Sequence, residues 1–294
     1  MRFWEWRFSP APAGRPANRV GISAGGDSVS DVLRIMSFNL RYGTADDGEN
    51  SWSQRRQIAI QTIREYGPDL LATQEALAEQ VDDLREQLPD YAVEAVGRED
   101  GRRRGEATAV FFRRNRFELC EREHFWLSET PEVPGSISWD ASQTRMVTVC
   151  RLRLQESPAR EILFFNTHFD NRSERARLES ARLLRERITE AALHDPVIVA
   201  GDFNATEAEP VYRILLTGER PGPVLVDAYR AAHPERNGEE LTRHDFRGER
   251  KGSRIDWILH SPHFITQAAA IDRREFDGRY PSDHYPVTAE LAFT

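Results

Sequence analysis

The chain has 294 residues, 39% of them apolar, which is enough to build a real core in one large domain or two small ones. Its 40 basic and 48 acidic residues leave a formal charge of -8, and that balance argues against a tight, sequence-independent grip on duplex DNA. It leaves room for a phosphate ester held locally by arginine or by a metal ion.

Residues 1–31 carry scattered aromatics followed by Pro, Gly, Ala and Ser, without the unbroken apolar run of a signal peptide, and read as a disordered extension or a start-site artefact. From residue 32 to residue 294 no linker interrupts the pattern, so one domain is the simpler reading. Leu33 to Leu40 alternates like a strand and ends in Asn39, before a Gly- and Asp-rich loop over 43–50. Trp52 to Tyr66 reads as a helix with Ile58, Ile60 and Ile63 buried, stopped by Gly67-Pro68. A short apolar strand from Asp69 then runs into Glu75. Both strands of this βαβ-like unit finish in polar groups.

A helix over Ala78–Leu88 follows, then strands at Tyr91–Val96, Ala107–Arg113, Phe117–Leu127 and Arg145–Leu154. Successive strands without intervening helices require antiparallel pairing, which excludes a purely doubly wound parallel sheet. The second half repeats the first in outline. A strand Glu161–His168 leads to a helix Ser173–Leu193 with an apolar stripe, and a strand from Pro196 ends in Gly201-Asp202-Phe203-Asn204. Arg254–Leu259 is an apolar strand broken by Asp256, and Pro286–Phe293 closes the chain.

The strand ends therefore supply Asn39, Glu75, His168, Asp202, Asn204, Asp256, Asp283 and His284. Taken singly, several have ordinary readings: Asn39 as a turn residue, Glu75 as a loop start or helix cap, His168 as a core histidine. Asp256 resists such a reading, because a carboxylate among Ile255, Trp257 and Ile258 is costly unless paired, and His284 is the obvious partner. Oxygen ligands with two imidazoles and no thiolate cluster suit Mg²⁺ or Mn²⁺. Cys120 and Cys150 lie far apart without metal-ligand spacing and read as reduced packing residues, which fits a cytoplasmic protein. No apolar stretch is long enough to span a membrane, and nothing in the chain points to a protein partner.

Ser37-Phe38-Asn39, Thr73-Gln74-Glu75, Asn166-Thr167-His168, Gly201-Asp202-Phe203-Asn204, Arg254-Ile255-Asp256 and Ser282-Asp283-His284 occur in the order and approximate spacing of the DNase I-like endonuclease/exonuclease/phosphatase superfamily. The chain resembles that superfamily over residues 33–293, and a bacterial branch of it fits best. The resemblance implies an α/β fold, a four-layer sandwich of two packed mixed β-sheets flanked by helices. It also implies Mg²⁺ (or Mn²⁺) held by Glu75 with Asn39 and Asp283. His284 would be the general base or its equivalent, oriented by Asp256. Asp202 would position the attacking water, Asn204 would steady the phosphate, and His168 would donate to a phosphoryl oxygen.

The implied activity is a metal-dependent phosphoesterase, first a phosphodiesterase acting on a small diester or single-stranded nucleic acid. A phosphomonoesterase and a catalytically silent phosphate-binding protein are the alternatives. Arg145 is a candidate phosphate clamp and His244 a candidate substrate contact on a rim loop. Trp52 with Arg55 resembles the same bacterial branch, with packing as the alternative. Arg102-Arg103-Arg104 reads chiefly as a solvated loop. Histidine at 168 where AP endonucleases carry tyrosine, the missing cysteine pair of secreted DNase I and the lack of an apolar hairpin all argue against those branches and against a sphingomyelinase-like role.

Overall fold

The computed structural model describes residues 9–10 and 32–294, apart from 158, 193–194 and 220–221. In chain order the strands are β1 (Ser9–Pro10), β2 (Val32–Asn39), β3 (Leu70–Ala76), β4 (Tyr91–Glu94), β5 (Ala107–Arg113), β6 (Phe117–Trp126), β7 (Met146–Leu154), β8 (Glu161–His168), β9 (Val197–Asp202), β10 (Val226–Asp227), β11 (Asp256–His260), β12 (Phe264–Ile271) and β13 (Val287–Phe293). The helices are α1 (Trp52–Tyr66), α2 (Ala78–Gln87), α3 (Glu174–Ala192), α4 (Pro210–Thr217) and α5 (Ala228–Ala232). Most of the segment read as a disordered extension lies outside the described residues. Its Ser9–Pro10 pair with Arg122 and Glu121 as a two-residue strand.

Two mixed sheets result, ordered β1-β6-β7-β8-β9-β11-β10 and β12-β13-β2-β3-β5-β4. Each has one parallel pair, β8 with β9 and β2 with β3, joined by crossover helices α3 and α1; all other pairings are antiparallel. The antiparallel reading of the middle strands holds with one refinement. β4 and β5 pair in one sheet, β6 and β7 in the other, and the chain changes sheet between Arg113 and Phe117.

Strands buried on both faces account for the continuous apolar runs of β8 and β9. One face of each sheet meets the other through Ile35, Leu70, Val110, Leu152, Phe164, Ile198 and Ile258. The outer faces are covered by α1 and α2 through Ile60, Ile63 and Leu84, and by α3 and α4 through Leu184, Ile188 and Ile214. These layers make the four-layer α/β sandwich. Each such side chain removed from water contributes about 1.5–3 kcal/mol, so the three apolar layers hold the sheets in fixed register.

Across the central layer runs a small polar link. Gln74 Nε2 donates to Asn166 Oδ1 at 2.7 Å, and Asn166 Nδ2 donates to the carbonyls of Thr73 (2.9 Å) and Ala109 (2.8 Å). These groups adjoin Glu75 and His168 in sequence, so the link fixes one strand end against the other.

Candidate active site

The strand-end residues converge. In register across one sheet, His168 lies beside Asp202 and Asp202 beside Asp256, so three polar side chains form a row over β8, β9 and β11. The other sheet brings Asn39 and Glu75 to the same place. Asn39 Nδ2 donates to Asp202 Oδ2 at 2.9 Å and to Glu75 Oε1 at 3.0 Å, while its Oδ1 accepts from Arg41 N–H at 2.9 Å. One buried amide thus joins the two sheets at the centre.

Glu75 reaches that amide because its strand is irregular. The register of β3 with β5 shifts between Thr73 and Ala76, and Glu75 is left-handed at φ 61°. Asn204, also left-handed at φ 48°, takes its N–H to Asp202 Oδ1 at 2.9 Å and its Nδ2 to the Phe169 carbonyl at 3.0 Å. Non-glycine residues in this region need support from their surroundings.

Asp283 and His284 split. His284 Nδ1 donates to Asp256 Oδ2 at 3.0 Å, with Nε2 3.9 Å from Asp202 Oδ2. Asp283 turns to Ser282 Oγ (3.2 Å) and to Arg41 Nη1 (3.9 Å). Burial alone would depress His284, but Asp256, with Asp202 and Asp283 adding, brings it up to about 10. Burial pushes Asp202 up to about 7 and the charge of Asp256 adds to it, against His284 and Asn39. Asp283 is raised chiefly by burial, with Glu75 adding.

His168 is buried and held well below its ordinary value by burial and then by Arg145 and Arg98. Its Nε2 lies 3.0 Å from Asn204 Nδ2 and 3.4 Å from Asp202 Oδ2. Asn204 Nδ2 also reaches the Phe169 carbonyl, and His168 Nδ1 lies 4.0 Å from Glu106. His168 and Asn204 are thus held together, with the donor and acceptor roles of the two imidazole nitrogens set by the tautomer.

Arg145 stands at the centre as expected of a clamp. It is 4% exposed, its Nε and Nη1 have no hydrogen-bond partner among the described residues, and Nη2 reaches Asn171 Oδ1 at 3.4 Å. It lines a recess of about 10 Å³ with Glu75, Arg98, Glu106 and His168. A larger concavity of about 900 Å³, bordered by Glu94, Phe112, Phe117, Arg122 and Arg151, holds none of the strand-end residues. His244 lies inside its loop: its ring is 2% exposed and stacked 3.8 Å from that of Tyr285, its Nδ1 accepts from Gly248 N–H at 3.2 Å, and its buried Nε2 has no hydrogen-bond partner among the described residues.

Arg98, Arg41 and Tyr42, which the sequence did not single out, belong here, and so does Arg55. Arg98 grips Glu106 through both nitrogens at 2.7 and 2.8 Å and also contacts Gln143. The neighbouring Arg102, Arg103 and Arg104 are exposed, and Arg103 pairs with Asp82 at 2.6 Å. Arg41 is tied to Asp47 at 2.9 Å, and Tyr42 gives its N–H to Glu75 Oε2 at 3.1 Å. Arg55, buried in α1, is a strut: it donates to the carbonyls of Asn50, Pro281 and Arg41 at 2.8, 3.0 and 2.8 Å. Trp52 takes the packing role, with its Nε1 on Asp83 at 2.7 Å.

A metal ion could be held in two ways. Asp202, Asp256 and His284 offer atoms within 4.8 Å of one another. His284 there is already committed to Asp256 through Nδ1, which leaves only Nε2 to reach an ion. Glu75 and Asp283 offer oxygens alone, the charge of Glu75 adds to the cost of ionising Asp283, and Asn39 stands beside Glu75, so this all-oxygen set fits a hard divalent cation better.

The Endonuclease/Exonuclease/phosphatase family profile matches residues 36–284. An endonuclease/exonuclease/phosphatase family protein from Bacteroides thetaiotaomicron is 34% identical with a TM-score of 0.82, over 90% of this chain and 98% of that one. The mannosyl-6-phosphatase of the same bacterium is likewise 34% identical with a TM-score of 0.82, over 89% of this chain and all (100%) of that one. Human nocturnin is 25% identical over 91% of this chain and 67% of its own length. Among the described residues no helix is long and apolar enough to cross a membrane. With this match and the paired strand ends, the chain belongs to the endonuclease/exonuclease/phosphatase family.

Proposed function

We propose that this protein is a Mg²⁺- or Mn²⁺-dependent phosphoesterase that cleaves the P–O bond of a small phosphorylated substrate, with a phosphomonoester preferred to a diester. The observation that carries it is the Asn39 amide shared by Glu75 and Asp202, which sets the oxygen-rich pair Glu75–Asp283 against the Asp202–Asp256–His284 group. The monoester preference is supported by the Bacteroides mannosyl-6-phosphatase at 34% identity and by the acidic surface charge, which disfavours a polyanionic chain. A diester reading keeps support from the nocturnin relatives at 25% identity.

Glu75 and Asp283, with Asn39, would hold the cation, which when bound supplies charge to offset that building on the phosphoryl and departing oxygens. Water attacks phosphorus in line as the ester oxygen leaves. Asp202, raised by burial to about 7, takes the water proton, and the departing alkoxide takes up a proton from solvent. His284, kept cationic by Asp256, gives Nε2–H to a phosphoryl oxygen. Arg145 supplies two further donors and Asn204, held by His168, steadies the phosphate.

The test is p-nitrophenol release from p-nitrophenyl phosphate and bis-p-nitrophenyl phosphate, and phosphate release from glycerol 3-phosphate, with Mg²⁺ or Mn²⁺ and with EDTA. The reading expects metal-dependent release, faster from the monoesters. Faster cleavage of the diester would replace it with the phosphodiesterase reading, and release from none of them with any metal would favour a silent phosphate-binding protein.

A further inference from the structure

The loop that follows the Arg243–His284 bridge holds a conformation its residues resist. Asp245 (φ 49°), Phe246 (φ 60°) and Gly248 (φ 72°) are all left-handed. Aspartate and glycine tolerate that region, whereas a phenylalanine stays there only when its surroundings over-determine it. The surroundings do so. His244 and Asp245 give their N–H groups to the Asp283 carbonyl at 2.8 and 3.1 Å, Tyr285 gives its own to the Thr242 carbonyl at 2.8 Å, and a Cβ on Gly248 would lie 2.1 Å from Tyr280 Oη.

This strain presents one ring beside the centre. Phe246 is half-buried, while His244 two residues earlier is fully inside. Its ring centroid lies 5.6 Å from the Arg55 guanidinium carbon, and Arg55 is fixed by carbonyls of the segments that carry Asn39 and Asp283. Arg41, Glu75 and Asn204, three other non-glycine residues with positive φ, lie in the centre itself, so backbone strain concentrates there. Trp139 is the other left-handed aromatic, and its carbonyl instead takes Ser173 Oγ at 3.2 Å, at the start of α3.

We propose that Phe246 is a specificity-determining residue: its ring packs on the sugar ring of the alcohol half of the substrate, selecting phosphate esters of cyclic over acyclic alcohols. An aromatic face buries the C–H face of a sugar at little conformational cost, since its own rotamers are already fixed. This rests on the phosphoesterase reading above.

The test follows Mg²⁺-dependent phosphate release by the full chain and by Phe246→Ala, Phe246→Gly and Phe246→Tyr, with glucose 6-phosphate, adenosine 5′-monophosphate and glycerol 3-phosphate. For the ring substrate that the wild type prefers, Ala and Gly should lower kcat/KM by about tenfold or more through KM. Tyr should restore it to within about threefold, and glycerol 3-phosphate should change less than about twofold. Phe246→Gly should also melt at or above the wild-type temperature, because glycine accepts the left-handed backbone that phenylalanine strains against. Equal losses on ring and acyclic substrates, or no loss on either, overturn the proposal while the phosphoesterase reading stands. A wild type that prefers glycerol 3-phosphate overturns it too. A wild type inactive on all three sinks both readings.

Discussion

Asn39, at the end of β2, donates its side-chain amide to Asp202, at the end of β9 in the facing sheet, across 2.9 Å. The same nitrogen serves Glu75 at 3.0 Å, so a single neutral donor separates two carboxylates that would otherwise repel. Asn39→Asp removes that donor and adds a third negative charge. It should lower kcat/KM by at least about tenfold with native far-UV circular dichroism. A variant with wild-type turnover would show that the bridge is packing alone.

The His284–Asp256 pair carries the second prediction. Asp256→Asn leaves the imidazole without its anion, His284→Ala removes the proposed donor to the phosphate, and Asp202→Ala removes the proposed base for the attacking water. Each should reduce turnover by about 10²–10⁴-fold without unfolding the chain. Near-normal rates with an unchanged fold in any of the three would remove that residue from the mechanism.

Glu75→Gln tests the metal set. The half-maximal Mg²⁺ concentration should rise about tenfold or more while saturating metal recovers part of the rate. An unchanged metal titration would move the cation to the Asp202–Asp256–His284 group instead.

Burial under Tyr285 lowers His244 to about 4, and the nearby charge of His284 adds to this. Between about pH 6.5 and pH 4 the unfolded chain therefore binds a proton that the folded chain refuses, and stability falls as pH drops through that window. His244→Gln should flatten the fall in melting temperature over that range. An identical pH profile in the variant would mean that His244 is protonated in the fold.

Asn166→Ala cuts the inter-sheet link: the Thr73 and Ala109 carbonyls lose a buried donor, and Gln74 Nε2 keeps only Ser37 Oγ at 3.3 Å. The cost should be about 3 kcal/mol. For a chain of this size that corresponds to a melting temperature lower by roughly 6–12 °C. A shift below a few degrees would indicate that water replaces the amide.

Much of this was legible because apolar strands buried on both faces stop abruptly in polar residues. Asn39, Glu75, His168, Asp202 and Asp256 all sit where such a run ends or begins, and Asp256 had to find a partner. The two-sheet packing left no such trace, since Gln74 and Asn166 look like ordinary polar residues until both sheets are present. Nor did β12 announce itself: its Thr-Gln-Ala-Ala-Ala stretch lacks alternation, because it is an edge strand packed on one side only. Arg98 was hidden among many arginines, and only burial separates it from the exposed Arg102–Arg104. His244 was placed on a rim by its loop, whereas the loop turns it inward and leaves Phe246 half-exposed.

The most direct measurement is phosphate release from glycerol 3-phosphate by the wild-type chain in Mg²⁺, after EDTA, and after Mg²⁺ is restored. Turnover should be abolished by EDTA and returned by restored metal, with His284→Ala slower by at least about 10²-fold throughout. Release that ignores EDTA, or that continues near the wild-type rate in His284→Ala, would contradict this.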